Sequence, residues 1–211
     1  MIILFNGPPA SGKDCAADYF KDKGYKHLSF KHQLFKQTFS YFGVTEKWFM
    51  EDYDNREVKE RSTKHLGGFS RREAMIHVSE NIIKPKHGLD YFGKMVAEEI
   101  EPNKDYVISD GGFSDELFPI INKIGADNFV LVQLVRDGCD YSKDSRRYFN
   151  GRIVGEHVNS HRTELDTKYM QEYKFDVRTH RIHNNGTVEN LYTVLGKIYE
   201  EELNVRVKEG A

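Results

Sequence analysis

Two glycines and a lysine near the start of the chain have the spacing of a phosphate-binding loop. Gly7 and Gly12 enclose four residues, and Lys13 follows directly. Backbone N–H groups in such a loop point at phosphate oxygens, and the lysine reaches the β- and γ-phosphates. The required context is a strand before the loop and a helix after it, which the patterns of residues 2–5 and 14–23 predict. The residues assigned to nucleotide binding are Gly7, Ala10, Ser11, Gly12, Lys13, Asp14 and Cys15.

The residue after the lysine departs from the usual motif. A serine or threonine normally binds Mg²⁺ at this position, whereas this chain has Asp14, followed by Cys15. A carboxylate is a hard oxygen ligand that could hold Mg²⁺ directly or through its water molecules. An acid in the first turn of a helix is also favourable without any metal. Asp14 is therefore a candidate metal ligand, with a simple helix-end role as the alternative.

Polar residues follow the next two apolar strands. Asp110 ends the run 106–110, where it could bind the Mg²⁺ water shell or an acceptor substrate, or merely cap the following loop. The glycine pair 111–112 leaves the backbone bare for close approach of a ligand. Arg136 follows the run 129–135 directly. Because ligands of parallel sheets bind at the carboxyl ends of the strands, we expect Asp110 and Arg136 in one crevice.

A polar segment beyond the third of these strands carries further arginines. Arg146, Arg147 and Arg152 lie in the segment 140–164, which has few apolar residues. Planar guanidinium groups suit the negative charge of a phosphoryl group in transfer. We predict that 140–164 is a mobile lid, ordered by phosphates through Arg146 or Arg147; a solvated basic loop is the alternative. The predicted catalytic residues are Lys13, Arg136, Arg146 and Arg147.

A second group of residues is assigned to the phosphate acceptor. Ser70 and Glu73 have the spacing of a capping box, which places Arg72 in the first turn of a helix. Its guanidinium and the helix N–H groups could jointly bind a monophosphate. Arg56 and Asp110 complete the predicted acceptor site. The surrounding segment, about 45–100, is interpreted as an acceptor-binding insertion whose first part is irregular.

The order of apolar patterns predicts the fold. Strands are expected at 2–5, 27–30, 106–110, 129–135 and 181–183. Helices are expected at 14–23, 31–42, 70–83, 89–100, 114–124 and 187–203. Alternating strands and helices favour an α/β fold in three layers, a five-stranded parallel sheet with helices on both faces. With the loop and lid, this is the P-loop kinase architecture, in a single domain spanning 1–211.

Composition argues against several classes of protein. The chain is 38% hydrophobic and 30% charged, and no window approaches the 18 apolar residues of a membrane span. The first apolar run stops at Asn6, too early for a signal peptide. A net charge of −2 argues against a dedicated nucleic-acid binder. Two cysteines make no disulfide framework and favour the cytoplasm. His157 and His161 could share a helix face, but no third zinc ligand is indicated.

The motifs together resemble a known family. The Gly-Lys-Asp sequence followed by Ala17-Asp18 is similar to the deoxynucleoside monophosphate kinases of tailed bacteriophages. The loop of that family usually continues with threonine, where this chain has Cys15. Its strand-end segment usually has an arginine at the place of Gly111 or Gly112, so one acceptor contact is missing. Further matches occur in the same order at 53–57, 70–75, 109–116, 134–136 and 161–164.

This resemblance implies transfer of the γ-phosphoryl group of ATP to a deoxynucleoside 5′-monophosphate, with Mg²⁺ as cofactor. It also implies a location in the host cytoplasm and a homodimer, without nucleic-acid or membrane partners. The residues by themselves indicate only a P-loop phosphotransferase. Animal phosphomevalonate kinases have a related Gly-Lys-Asp loop, so a small-metabolite kinase is the alternative. The departures at Cys15 and at 111–112 leave open an inactive nucleotide-binding module.

Overall fold

The protein is an α/β fold built around a parallel sheet in a computed structural model, which describes residues 1–142, 144, 146–149, 152–155 and 173–209. The strands are β1 (Ile2–Asn6), β2 (Lys26–Leu28), β3 (Tyr106–Ile108), β4 (Phe129–Val135), β5 (Arg152–Gly155), β6 (Tyr173–Asp176) and β7 (Arg178–His183). The helices are α1 (Lys13–Asp22), α2 (Phe30–Phe42), α3 (Glu46–Met50), α4 (Arg56–Glu60), α5 (Arg71–His77), α6 (Lys84–His87), α7 (Tyr91–Glu98), α8 (Ser114–Ile124) and α9 (Val188–Glu209). A π-helical stretch, Val78–Ile83, joins α5 to α6.

The central sheet has five parallel strands in the order β2-β3-β1-β4-β7. Strand β1 lies in the middle and pairs with β3 on one side and with β4 on the other. The predicted five-stranded parallel sheet is therefore confirmed. The sequence did not indicate the separate antiparallel pair of β5 and β6, which falls partly within the segment interpreted as a lid.

Helices cover both faces of this sheet, as predicted. Ile2 and Leu4 of β1 pack in one apolar cluster with residues of α2, α7 and α8. Ile3 and Phe5 pack in a second cluster with residues of α1 and α9. All four side chains are at most 1% exposed. A continuous apolar run, rather than an alternating one, is what a parallel sheet buried on both faces requires.

The segment expected to be irregular is ordered by its own aromatic cluster. Phe49 and Tyr53 are buried against phenylalanine rings of α2. Arg71, only 8% exposed, donates to the main-chain oxygens of Trp48 and Val58 at 3.1 and 3.2 Å. These bonds tie α3 and α4 to α5. The expectation of irregular structure in the first part of 45–100 is therefore wrong. The segment is mostly polar, and its sequence does not show that a few aromatic rings are buried and hold its short helices together.

The helix predicted at 70–83 begins as expected and ends later. Ser70 and Glu73 form the capping box, with both reciprocal hydrogen bonds present. The helical path then continues through the π-helical stretch and past Pro85, and it ends at Gly88, whose φ is 97°. Pro85, which has no N–H to donate, lies where the π-helical stretch passes into α6. The helical path therefore runs past the predicted end at residue 83 and stops at Gly88. Across the described residues, no helix combines the length and apolar character needed to cross a membrane.

Candidate functional site

The order of the strands predicts a crevice at the carboxyl ends of β1 and β3. Helix α1 leaves β1 towards one face of the sheet, since its Ala16 and Phe20 pack in the cluster with Ile3. Helix α8 leaves β3 towards the other face, since its Leu117 packs with Leu4. When the helices that follow two neighbouring strands go to opposite faces of a sheet, a space is left between the carboxyl ends of those strands. Ligands of parallel sheets bind in this space.

The loop of residues 7–12 turns tightly between β1 and α1. Gly12 has a φ of 98°, a left-handed conformation that favours glycine, and a Cβ there would lie 2.5 Å from Asn184 Nδ2. A Cβ on Gly7 would lie 2.5 Å from Ser11 Oγ. Asn184, which the sequence analysis missed, is buried and donates from Nδ2 to the Ser11 carbonyl at 2.9 Å. Both glycines are therefore needed, and Asn184 fixes the loop from the far edge of the sheet.

Lys13 is a buried cation held by this loop. It is 9% exposed, and its Nζ donates to the carbonyl oxygens of Gly7 and Pro8 at 2.7 Å each. Burial and then the nearby positive charge of Arg146 lower the pKa of Lys13 to about 8, against the opposing charges of Asp14, Asp144 and Asp110. Among the described residues, no carboxylate lies within ion-pair distance of Nζ. A buried ammonium group without a counter-ion favours an anionic ligand, whose charge would offset its desolvation.

Asp14 and Cys15 point to different surroundings. Asp14 is exposed, and its Oδ1 accepts a hydrogen bond from Ser109 Oγ at 2.8 Å. The Sγ atom of Cys15 lies 4.0 Å from the hydroxyl of Tyr192 on α9. Cys15 is half-buried against the apolar cluster on that face. Its side chain therefore packs between helices, and only its main-chain N–H is suited to contact phosphates.

Asp110 caps the N-terminus of α2. Its Oδ2 accepts from Ser29 Oγ at 2.7 Å and from the Lys31 N–H at 2.8 Å, while Oδ1 accepts from the Phe30 N–H at 3.3 Å. An ionised carboxylate has about four acceptor positions, so these bonds use most of its capacity. This geometry favours a capping role over the metal and acceptor roles that the sequence suggested. Asp110 caps the helix α2, whereas the sequence suggested that it would cap the loop that follows it.

Arg146 lies over the glycine pair that follows β3. A Cβ on Gly112 would lie 2.8 Å from the Cβ of Arg146 and would also overlap the rest of its aliphatic stem. The guanidinium donates to both carboxylate oxygens of Asp144, at 2.9 and 2.5 Å, and this pairing raises the pKa of Arg146. The glycine pair after β3 is therefore covered by an arginine from a distant part of the sequence.

The other two arginines assigned to catalysis lie at the surface. The Arg136 side chain is exposed, and its Nη1 reaches the carbonyl oxygen of Ala10 in the loop at 3.4 Å. The Arg147 side chain is also exposed. Arg147 instead contributes its main-chain oxygen, which accepts from Asn6 Nδ2 at 3.1 Å. Of these arginines, Arg146 is the one that the fold directs into the crevice beside Lys13.

The start of the segment interpreted as a lid is anchored to the sheet. Asn6, fully buried at the end of β1, donates to the Tyr141 hydroxyl at 3.3 Å and accepts from the Phe149 N–H at 3.0 Å. Phe149 and Ile153 are buried in the apolar cluster that contains Leu4. This segment thus has more apolar anchors than its sequence indicated. The Arg152 side chain and the element at 161–164 lie outside the described residues.

A group of cations lies near one tyrosine ring, beside Arg72 of the predicted acceptor site. Lys31 Nζ and Lys59 Nζ lie 4.9 and 4.7 Å from the ring centroid of Tyr53. Arg72 is half-exposed, with its Nη1 3.8 Å from Glu60 Oε1. Burial lowers the pKa of Lys59, and the charges of Lys31 and Arg72 lower it further. We call Lys31, Lys59, Arg72 and Tyr53 the cation cluster.

Arg56, the remaining residue of the predicted acceptor site, is exposed at the start of α4. Within the described part of the chain, its side chain has no hydrogen bond or ion pair. Lys31 and Lys59 were missed because lysines in a charged segment have no distinguishing sequence pattern. Only the packing of α2 and α4 around Tyr53 brings them together.

A buried carboxyl group gives a test of the electrostatics near this site. Glu116 of α8 is 6% exposed, and burial raises its pKa to about 8, against an opposing effect of Lys84. The folded protein therefore keeps this proton between about pH 4.5 and 8, where the unfolded chain has lost it. Hence the folded state loses stability relative to the unfolded state as the pH rises through this window.

We expect Glu116→Gln to gain stability relative to the unsubstituted protein as the pH rises. Between pH 5 and pH 8, the difference between their free energies of unfolding should change by about 2–4 kcal/mol in favour of the variant, since each pKa unit is worth about 1.4 kcal/mol. Urea unfolding at both pH values measures this difference. Glu98→Gln, at an exposed site on α7, is the control and should show no such trend. A Glu116→Gln difference that is the same at pH 5 and pH 8 would contradict the prediction.

No protein-family model and no curated protein matches this chain. Among the residues that the structure describes, no group of three or more His, Cys, Asp or Glu side chains is arranged to hold a metal ion. Mg²⁺ needs no such cage, because it is usually bound by one or two carboxylates and substrate phosphates. The inference of function therefore depends on the loop, the crevice and the cations around them.

Proposed function

We propose that this chain is a P-loop kinase that transfers the γ-phosphoryl group of ATP to a deoxynucleoside 5′-monophosphate. The observation that carries the proposal is the state of Lys13. It is a buried ammonium group at a glycine turn between a parallel strand and a helix, bonded only to carbonyls of its own loop. No described carboxylate forms an ion pair with it, although Asp14, Asp144 and Asp110 act on it from farther away. Binding of a polyphosphate would place negative charge directly at this cation.

The residues around the loop fit ATP and Mg²⁺. The two glycines let the loop pack tightly against Ser11 and Asn184, where a Cβ would overlap those side chains. Such a turn can direct the N–H groups at the start of α1 towards phosphate oxygens. Asp14 supplies an exposed hard oxygen beside them, suited to Mg²⁺ or its water molecules. Mg²⁺ bound there would neutralise charge on the β- and γ-phosphates. Lys13 would exchange its bonds to the loop carbonyls for bonds to those phosphates.

Arg146 is suited to the transferred phosphoryl group. Its bidentate pairing with Asp144 fixes the plane of the guanidinium, and its charge acts on Lys13, which indicates that the two cations are close. Two oriented cations at one side of a crevice stabilise the charge that spreads over the phosphoryl oxygens during transfer. Arg136, which contacts Ala10 in the loop, is positioned to act on the donor phosphates.

The cation cluster supports a monophosphate as the acceptor. Lys31 and Lys59 lie over the Tyr53 ring, and the positive charge of Arg72 acts on Lys59. The carboxylate of Glu60 lies 3.8 Å from Arg72 and offsets part of this charge. The pKa of Asp144 is lowered mainly by its hydrogen bonds with Arg146 and to a smaller extent by the charge of Arg72. The choice of a deoxynucleoside as the rest of the acceptor comes from the resemblance to the bacteriophage kinases. A homodimer is likewise proposed from that resemblance alone.

The donor and acceptor assignments can be separated by kinetics. Arg72→Ala should raise the KM for the nucleoside monophosphate by about 10-fold, since a hydrogen bond between charged groups contributes about 1.5–3 kcal/mol. It should leave the KM for ATP unchanged. Arg61→Ala, at an exposed arginine just after α4, is the matched control. A rise in the KM for ATP alone would mean that the two sites are exchanged.

The proposed activity is tested by coupled detection of ADP with ATP, Mg²⁺ and each of the four canonical deoxynucleoside monophosphates. We expect turnover with at least one of them. Turnover with phosphomevalonate alone would favour the small-metabolite kinase. ATP binding without ADP formation from any acceptor would indicate an inactive nucleotide-binding module, and the absence of ATP binding would reject the P-loop function itself.

A further inference from the structure

The two chemical groups that P-loop enzymes use for Mg²⁺ are both present in this crevice, in exchanged positions. In P-loop nucleotide hydrolases, a serine or threonine of the loop and an aspartate on a second strand hold the ion. Here the loop position carries the carboxylate of Asp14, while the end of the neighbouring strand β3 carries the hydroxyl of Ser109. Ser109 Oγ donates to Asp14 Oδ1 at 2.8 Å, so the two groups are in direct contact.

The path of the chain after β3 explains why Ser109 and not Asp110 meets the loop. Leu4 of β1 is paired with Ile108, the last residue of β3. Ser109, 5% exposed, contacts Asp14 on α1. Asp110 contacts the opposite side, where it accepts three hydrogen bonds at the N-terminus of α2. The acid expected at the strand end is thus occupied, and the adjacent hydroxyl faces the loop.

We propose that Asp14 and Ser109 act as an exchanged Mg²⁺ pair, with Asp14 as the ligand and Ser109 as its positioning residue. The hydrogen bond from Ser109 holds Oδ1, and Asp14 Oδ2 has no hydrogen-bond partner among the described residues. His27 Nε2 lies 3.4 Å from Ser109 Oγ and, when it carries hydrogen, donates to that oxygen. Ser109 then has its own hydrogen directed at Asp14. A simple helix-end role for Asp14 would need neither Ser109 nor His27.

This inference rests on the proposed function, because the ion would arrive with a nucleotide. Its test therefore uses binding and not turnover. Mn²⁺ serves as a spectroscopic probe for Mg²⁺: free Mn²⁺ is measured by electron paramagnetic resonance in the presence of ADP and the protein. ADP binding is measured separately with EDTA present, in the absence of any divalent ion.

Ser109→Ala should raise the Kd of Mn²⁺ in the ADP complex by about 10-fold, the lower end of the effect of removing a group that orients a metal ligand. ADP binding in EDTA should be unchanged. Ser109→Thr, which keeps the hydroxyl, should bind Mn²⁺ nearly as well as the unsubstituted protein. Ser29→Ala is the matched control, because Ser29 donates to Asp110 at 2.7 Å as Ser109 does to Asp14. A larger loss in Ser29→Ala than in Ser109→Ala would assign the ion to Asp110 and overturn the proposal.

A reciprocal exchange tests the pair directly. Asp14→Ser should weaken Mn²⁺ binding by at least about 10-fold. Adding Ser109→Asp to this variant recreates the usual arrangement and should restore most of the affinity. This pair of variants also decides the question if Ser109→Ala fails to fold. Failure of the unsubstituted protein to bind ADP would reject the proposed function. If ADP binding is normal and Ser109→Ala binds Mn²⁺ as tightly as the unsubstituted protein, the exchanged pair is rejected while the proposed function stands. The same conclusion follows if the double variant does not regain Mn²⁺ affinity.

Discussion

Lys13→Ala is expected to lower kcat/KM by at least about 100-fold, which corresponds to about 2.7 kcal/mol of transition-state stabilisation. Its ammonium group is the buried cation of the loop, so no neighbouring side chain can replace it as charge moves onto the leaving ADP. Steady-state kinetics with ATP and the best acceptor measure the effect. Lys21→Ala, an exposed position at the end of α1, is the control and should be nearly unchanged.

The same residue gives the nucleotide affinity a pH dependence. Because the pKa of Lys13 in the free protein is about 8 and bound phosphates would raise it, ATP binding should be full below pH 8 and weaken as the pH rises above it. The affinity of Lys13→Ala should lack this decline. Near-normal kcat/KM in a correctly folded Lys13→Ala protein would rule out the P-loop mechanism.

Gly112→Ala is expected to lower kcat/KM by at least about 10-fold although it adds a single methyl group. The φ of Gly112 is not positive, so alanine suits the backbone itself. The methyl group would instead overlap the stem of Arg146 and displace its guanidinium from the crevice. A misplacement of about 1 Å can reduce a rate by about 100-fold. Kinetics with saturating ATP would show the loss.

A double-mutant cycle shows whether this effect passes through Arg146. In an Arg146→Ala protein, Gly112→Ala should have little further effect, because the displaced group is already absent. Gly111→Ala is the neighbouring control: its methyl group would lie 2.5 Å from Leu4 Cδ1, in the core. That variant should lose about 1–3 kcal/mol of stability through overpacking. Additive losses from Gly112→Ala and Arg146→Ala would contradict a shared mechanism.

The parallel sheet and the loop were predictable because local patterns determine them. Runs such as 129–135 are too apolar for any place except a buried strand, and the observed strand has the same bounds. Helix α8 also has the predicted bounds, 114–124. The glycine spacing fixes the loop within a few residues, and the capping box of Ser70 is equally local.

The remaining parts of the site depend on contacts between distant segments. Asn184 reaches Ser11 across 173 residues of sequence, and Ser109 reaches Asp14 across 95. Neither has a local pattern that distinguishes it from an ordinary polar residue. The capping of α2 by Asp110 was not predictable for the same reason, since that helix begins 80 residues earlier, at Phe30.

The buried amide of Asn6 has a consequence for how the site opens. This side chain hydrogen-bonds Tyr141, Arg147 and Phe149, and it lies at the end of the strand that leads into the loop of residues 7–12. Pulling the segment from Tyr141 to Phe149 off the sheet would leave polar groups of Asn6 unpaired in the interior, which costs about 1–3 kcal/mol for each group. Local opening of this segment is therefore coupled to opening at the end of β1. The amide groups of both should then exchange hydrogen as one cooperative unit.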